Sequence, residues 1–227
     1  MKHHAKVNMR IRKKKWAQPE LDQCRYFVKE PTDFCGRWKE FFNNGNDIEL
    51  EVGCGKCSFV AQKALLNPNK NFIAVDIKSD MLGVGRRNIE KLFSGNGKTV
   101  DNIALVAFNC ESIEKLFSKE DGIKQMYINF CNPWPREKHK KRRLTHVTKL
   151  NKYRTFLSDG AQINFKTDND ELFEESIPYF EECNFDITYI TRDLHNSEKN
   201  EGNIRTEHEN MFSSEGIKIK HLIAKMK

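Results

Sequence analysis

Eight consecutive residues, Glu51-Val52-Gly53-Cys54-Gly55-Lys56-Cys57-Ser58, carry the first chemistry legible in this chain. They close a short β-rich apolar run. Two glycines at such a strand end let the backbone turn tightly and approach a ligand closely, as in doubly wound folds. A dinucleotide fingerprint would need a third glycine where Ser58 stands, and a phosphate-cradling loop would need glycine at Leu50 and a hydroxyl at Cys57. Neither pattern is met, and Glu51 at the mouth opposes a pyrophosphate while favouring a cation. S-adenosylmethionine, with a sulfonium, an ammonium and no phosphate, suits this turn. Cys54 and Cys57 also form a Cys-x-x-Cys, the spacing of thioredoxin-like redox pairs. One pair falls short of the four ligands of a structural zinc site. The preferred reading is that both cysteines fill small spaces beside the turn.

Two further strand ends fit the same picture. Asp76 closes the second β-rich run, near the ~20-residue spacing at which an acid accepts hydrogen bonds from ribose hydroxyls. Asn109 closes the third and can read an adenine amino edge. The fourth run leads into Asn132-Pro133-Trp134-Pro135-Arg136. Two prolines around a tryptophan stiffen a loop at low entropic cost and fix the direction of Asn132 and the indole. A polar residue followed by proline and aromatics resembles the loop with which amino-methyltransferases hold a base beside the methyl donor. A rigid turn around a buried tryptophan is the plainer alternative.

These stations need a scaffold that lines up strand ends. β-rich runs at 48–52, 72–76, 103–108, 125–130, 161–166, 185–191 and 217–226 alternate with segments of helical period at 56–66, 80–93, 111–117, 145–157 and 169–180. That alternation predicts βαβ units and a mostly parallel, seven-stranded α/β sheet. Before residue 47, Pro19, Pro31 and Gly36 interrupt any pattern, so residues 1–46 read as a basic arm and cap and 47–227 as the main domain. The first ~15 residues are expected to order only with a ligand.

Hydrophobic residues make up 38% and charged residues 31% of the 227, a balance that fits a globular protein and argues against a low-complexity chain. The longest apolar runs, such as 103–108, fall far below the ~18 residues of a membrane span. The N-terminus lacks the apolar stretch of a secretory signal. Seven scattered cysteines, an odd number, read as reduced thiols in a cytoplasm. The net charge of +7 hides a polarisation: residues 1–15 carry +7, residues 136–154 carry +8 and the remainder −8. Two basic blocks on an acidic body suit a polyanion, because neutralising phosphates releases condensed counterions. A solvated basic face is the alternative. The histidines, His195 and His208 among them, show no metal spacing, and no metal is expected.

The sequence resembles the bacterial TrmB family, the S-adenosylmethionine-dependent tRNA (guanine-N7-)-methyltransferases. The resemblance runs from Met9-Arg10-Ile11-Arg12 and Trp16-Ala17 through residues 51–56 and the Pro-Trp-Pro basic block. It continues through Phe165-Lys166-Thr167-Asp168-Asn169, Asp193-Leu194-His195, residues 201–204 and Thr206-Glu207-His208-Glu209. It implies a Rossmann-like class I methyltransferase whose last strand is antiparallel, with Glu51, Gly53, Gly55, Asp76, Asn109 and Asn132 around the methyl donor. It implies that Arg136, Asp168, Thr206, Glu207, His208 and Glu209 contact a tRNA, and that Asn132 occupies the catalytic position. The family usually has aspartate at positions 109 and 132 and a third glycine at Cys57. From the residues alone, Thr206 to Glu209 equally form a helix-capping box, and Asp168 equally caps the helix that follows. Monomer and homodimer are both compatible with the sequence.

Overall fold

The computed structural model describes residues 13–227. Its eight strands are β1 (Phe27–Val28), β2 (Asp47–Val52), β3 (Lys70–Asp76), β4 (Ile103–Ala107), β5 (Gln125–Asn129), β6 (Gln162–Thr167), β7 (Phe185–Thr191) and β8 (Lys220–Met226). They lie in the order β1-β4-β3-β2-β5-β6-β8-β7. Every pairing from β1 to β6 is parallel, and β8 runs antiparallel to both β6 and β7.

Period-two alternation sorts the side chains into two layers. Ile73, Val75, Ala104 and Val106 enter one apolar cluster, whereas Phe72, Ala74, Ile103 and Leu105 enter the other. The first cluster is covered by α2 (Trp38–Phe42), α5 (Val147–Phe156) and α6 (Asp170–Glu182); the second by α1 (Ala17–Asp22), α3 (Ser58–Leu66) and α4 (Ser79–Gly95). β3 and β4, covered on both faces, read as continuous apolar runs, whereas β2 alternates Asp47, Glu49 and Glu51 with Ile48, Leu50 and Val52.

The expected seven strands become eight. The additional one, β1, is a two-residue edge strand pairing Phe27 with Leu105 and Val28 with Val106, too short to leave a periodic signature. The expected helix at 111–117 is instead a 3-10 segment, Cys110–Lys115, kinked at Ser112. β8 starts at Lys220 rather than 217. Residues before β2 pack against the sheet layers: Trp38 is fully buried, with its indole N–H donating to the Leu116 carbonyl at 2.8 Å. The Arg87 guanidinium lies 3.6 Å from the Trp16 ring centroid, and Ala17 fills the space over Gly83, where an added Cβ would meet Ala17 Cβ at 2.6 Å. Expectations for residues 1–12 of the basic arm lie outside the described residues.

Candidate functional site

β2 is flanked by β3 and β5, so the strand order reverses there and leaves a crevice at the carboxyl ends, where doubly wound sheets bind ligands. Glu51 and Asn129 face each other across it, and Asn129 Nδ2 donates to Glu51 Oε1 at 3.0 Å. Glu51 is 3% exposed, and its Oε2 is buried without a hydrogen-bond partner. Burial pushes its carboxyl up to about 7, against the opposing pull of Asn129 and the Lys166 charge. A buried acceptor lacking a donor is costly, so this oxygen fits a ligand that brings a cationic N–H group. That is the chemistry of the methionine end of S-adenosylmethionine.

The turn beside it takes left-handed backbone at Gly53 (φ +78°), Gly55 (φ +53°) and Cys57 (φ +58°). Position 57 therefore has the conformation that glycine adopts without strain, in keeping with the glycine that the resemblance implies there. The Cys57 side chain fills the space over Gly85, where an added Cβ would meet its Sγ at 2.4 Å. Cys54 and Cys57 are buried with sulfurs 3.7 Å apart, and burial raises the Cys54 thiol well above its ordinary range. A thiol held neutral is a poor redox nucleophile. Asp76 is tied to the turn: its carboxylate accepts from Gly55 N at 2.9 Å and from Lys78 N at 2.8 Å. Asn109 is exposed, and its Oδ1 accepts from Glu111 N at 3.0 Å to cap the 3-10 segment.

The proline-flanked loop leaves β5 through Phe130 (φ +52°) and turns at Trp134 (φ +41°). Asn132 is exposed, and its Oδ1 accepts from Trp134 N at 3.0 Å. Arg143 holds the loop from inside the protein. Fully buried, it donates from Nε to the Pro133 carbonyl at 2.7 Å, and it bonds through its other nitrogens to Glu171 at 3.1 Å and to Glu175. Arg142 lies 5.1 Å from the Trp134 ring centroid. The basic block is thus split. Lys140, Arg143, Lys149 and Lys152 are paired with carboxylates, Arg154 donates to the Cys183 and Asn184 carbonyls, and Arg136, Lys138, Lys141 and Arg142 have no carboxylate partner among the described residues.

Helix α7 (Glu207–Ser214) brings the last stations to the crevice. Thr206 Oγ1 accepts from Glu209 N at 3.1 Å, so the capping role is realised. Lys56 of the glycine turn bonds Glu207 at 2.8 Å, and the exposed His208 ring lies 6.3 Å from Phe130. Glu209 is fully buried, and its carboxylate is taken up by Lys166 at 2.9 Å, His195 at 2.8 Å and Asn203 at 2.6 Å. Asp168 is half-buried; Asn169, not Asp168, caps α6 by accepting from Leu172 N at 2.7 Å. The Asp168 carbonyl accepts from Lys220 at 3.0 Å, and its carboxylate has no hydrogen bond among the described residues.

Residues 46–222 match a family model described as "Putative methyltransferase". Proteins named tRNA (guanine-N(7)-)-methyltransferase from Clostridium beijerinckii and Clostridium perfringens are each 56% identical to this chain. They cover 95% and 96% of it and 98% and 99% of their own lengths. One from Acetivibrio thermocellus is 52% identical over 96% of this chain and its own entire length. The chain belongs to the tRNA (guanine-N7-)-methyltransferase family. Among solved structures, the 16S rRNA methyltransferase KamB has a TM-score of 0.61 at 13% identity, covering 84% of this chain and 92% of its own. A 16S rRNA (adenine(1408)-N(1))-methyltransferase with cosubstrate SAM from Catenulisporales acidiphilia has a TM-score of 0.57 at 14% identity, covering 88% and 92%. At such low identities these two establish the shared fold alone.

Within this tRNA (guanine-N7-)-methyltransferase frame, the structure gathers Glu51, Gly53, Gly55 and Asp76 at one turn and joins them through Lys56 and Phe130 to Glu207 and His208. Arg136 and Asn132 stand exposed on the neighbouring loop. Sequence reasoning missed Arg143 as an internal clamp and the Lys166–Glu209–His195 network. The available signal was a lysine at the end of the β-rich run 161–166, beside Phe165, because such a charge, once buried, has to find partners.

Proposed function

We propose that this chain transfers a methyl group from S-adenosylmethionine to N7 of guanine in tRNA, at the variable-loop guanine, and that it works in the cytoplasm. The observation that carries the donor site is the buried, partnerless Glu51 Oε2 beside the left-handed glycine turn. Glu51 receives the cationic end of the donor, Asp76 the ribose hydroxyls, and Asn109 the adenine edge. When bound, the donor would supply an electrophilic sulfonium methyl: transfer to N7 would form the N–C bond as the S–C bond breaks, release the neutral thioether and pass the positive charge to the purine.

Guanine N7 already presents an in-plane lone pair, so the protein has no proton to remove from it. Its contribution is positioning, which supplies several kcal/mol when the reacting atoms are held near contact. Asn132 orients the guanine edge, and Trp134 and the buried Arg143 clamp keep its loop still. An aspartate at 132 would add Coulombic support for the purine charge, about 4 kcal/mol at ~4 Å with an effective dielectric near 20. Arg136, Asp168, Glu207 and His208 line the RNA side, whereas Thr206, buried and engaged in capping α7, and the buried Glu209 act from behind them. Single-turnover methylation of unmodified tRNA tests this reading. Asn132→Asp is expected to retain or raise the rate. A large fall with donor affinity intact contradicts the role given to Asn132, and no label transfer by the native protein would leave a non-catalytic RNA-binding module.

A further inference from the structure

Lys166 is the least expected charge in the fold. It sits at 5% exposure near the end of β6, in register with Asn129 of β5. Its ammonium donates to Asn203 Oδ1 at 3.0 Å, the Ile204 carbonyl at 3.1 Å and Glu209 Oε2 at 2.9 Å. It also lies 5.6 Å and 6.0 Å from the ring centroids of Phe59 and Phe130. One side chain thus joins β6, α3, the proline-flanked loop and the segment that leads into α7. The carboxylate of Glu51, bonded to Asn129, is the neighbouring acid on the crevice side.

We infer that the buried Lys166–Glu209 ion pair is a positioning element for the donor seat: it anchors residues 203–209 beside the crevice, and its charges set how readily Glu51 presents a carboxylate to the donor. This rests on the reading that Glu51 faces the donor. The two charges stand differently to Glu51: Lys166 is in register with Asn129, whose amide holds the Glu51 carboxylate, and its positive charge favours that carboxylate, whereas Glu209 accepts from Lys166 directly and offsets it. The groups facing Glu51 are Lys166 from β6, Asp76 from β3, Tyr127 from β5 and Cys54 from its own turn. Lys166 and Glu209 in turn meet Lys63 on α3, His221 on β8 and His195. Breaking either half of a buried pair alters the field on its neighbours in opposite senses.

The test is calorimetric affinity for S-adenosylmethionine from pH 5.5 to 8.5. The native protein is expected to lose affinity as pH falls through about 7. Lys166→Met should move that acid limb up by about one pH unit, Glu209→Gln should move it down, and Lys166→Arg should restore it. At pH 7 the Lys166→Met affinity should fall about fivefold, and at pH 8.5 it should differ from native by less than about 1.5-fold. If Lys166→Met does not fold, Lys166→Met/Glu209→Met replaces the pair by apolar groups, a change buried pairs tolerate, and should also raise the limb. No acid limb in the native protein, or full affinity in Glu51→Gln, overturns the donor-site reading. A native limb that neither substitution moves overturns this inference and leaves that reading standing.

Discussion

At the scale of single residues, the protein holds a carboxylate where folding alone would not want one. Burial pushes the Glu51 carboxyl up to about 7, outweighing the Asn129 hydrogen bond, the nearby Lys166 ammonium and the Val60 backbone N–H. Its folded pKa lies above the unfolded value, so the folded state binds the proton more tightly. The associated stability is complete below about pH 4.5 and is lost as pH rises to about 7, on the order of 3 kcal/mol. Glu51→Gln should therefore raise the donor-free Tm at pH 8 and hardly change it at pH 4.5, while weakening donor binding about tenfold or more at pH 8. Thermal unfolding at the two pH values checks the first part and calorimetry the second. An unchanged Tm at pH 8 would mean that the carboxylate is not strained. Much of this was legible beforehand: an acid two residues before Gly53 has no use in a phosphate loop. What the sequence hid was burial. Arg143 and Lys149 read like their neighbours in a basic run, and only the fold turns them inward against Glu175 and Glu111.

At the scale of elements, the cofactor turn and α4 are fitted to each other chiefly through Cys57. Cys57 adopts a left-handed conformation, and its sulfur occupies the space that Gly85 leaves open. Gly85→Ala should push the turn and cost donor affinity tenfold or more, because close-packed interiors yield little. The double variant Gly85→Ala/Cys57→Gly removes the two shortest contacts, leaving the Lys56 carbonyl carbon at 3.2 Å, and suits the left-handed backbone, so it should recover most of that affinity. Failure of the second change to rescue the first would contradict this pairing. The loop after β5 depends likewise on Arg143: Arg143→Leu frees the Pro133 carbonyl and should lower kcat about 10- to 100-fold with donor affinity nearly unchanged. The order of elements was readable from alternating periods, since β2 to β8 and α3 to α6 announce themselves. The two-residue β1 and the one-turn helices near Trp38 were not, because their existence depends on tertiary contacts such as the Trp38–Leu116 hydrogen bond.

At the scale of the whole molecule, the 136–143 run has less charge free to meet a polyanion than its sequence suggests. Only Arg136, Lys138, Lys141 and Arg142 of the 136–143 run lack a carboxylate partner among the described residues, so they are the block's available phosphate ligands. Each of Arg136→Ala, Lys138→Ala and Lys141→Ala should reduce the slope of log affinity for tRNA against log salt by about one. Lys149→Met should alter stability and leave the slope alone. Equal slopes in all four would mean that this face does not meet the RNA. Donor binding should hardly respond to salt, since its charged contacts are buried. The most direct measurement is mapping of the methylated nucleotide in unmodified tRNA after incubation with pure protein and S-adenosylmethionine. The expected result is one N7-methylguanosine in the variable loop. Methylation at another atom or another nucleotide, or no methylation, would contradict it.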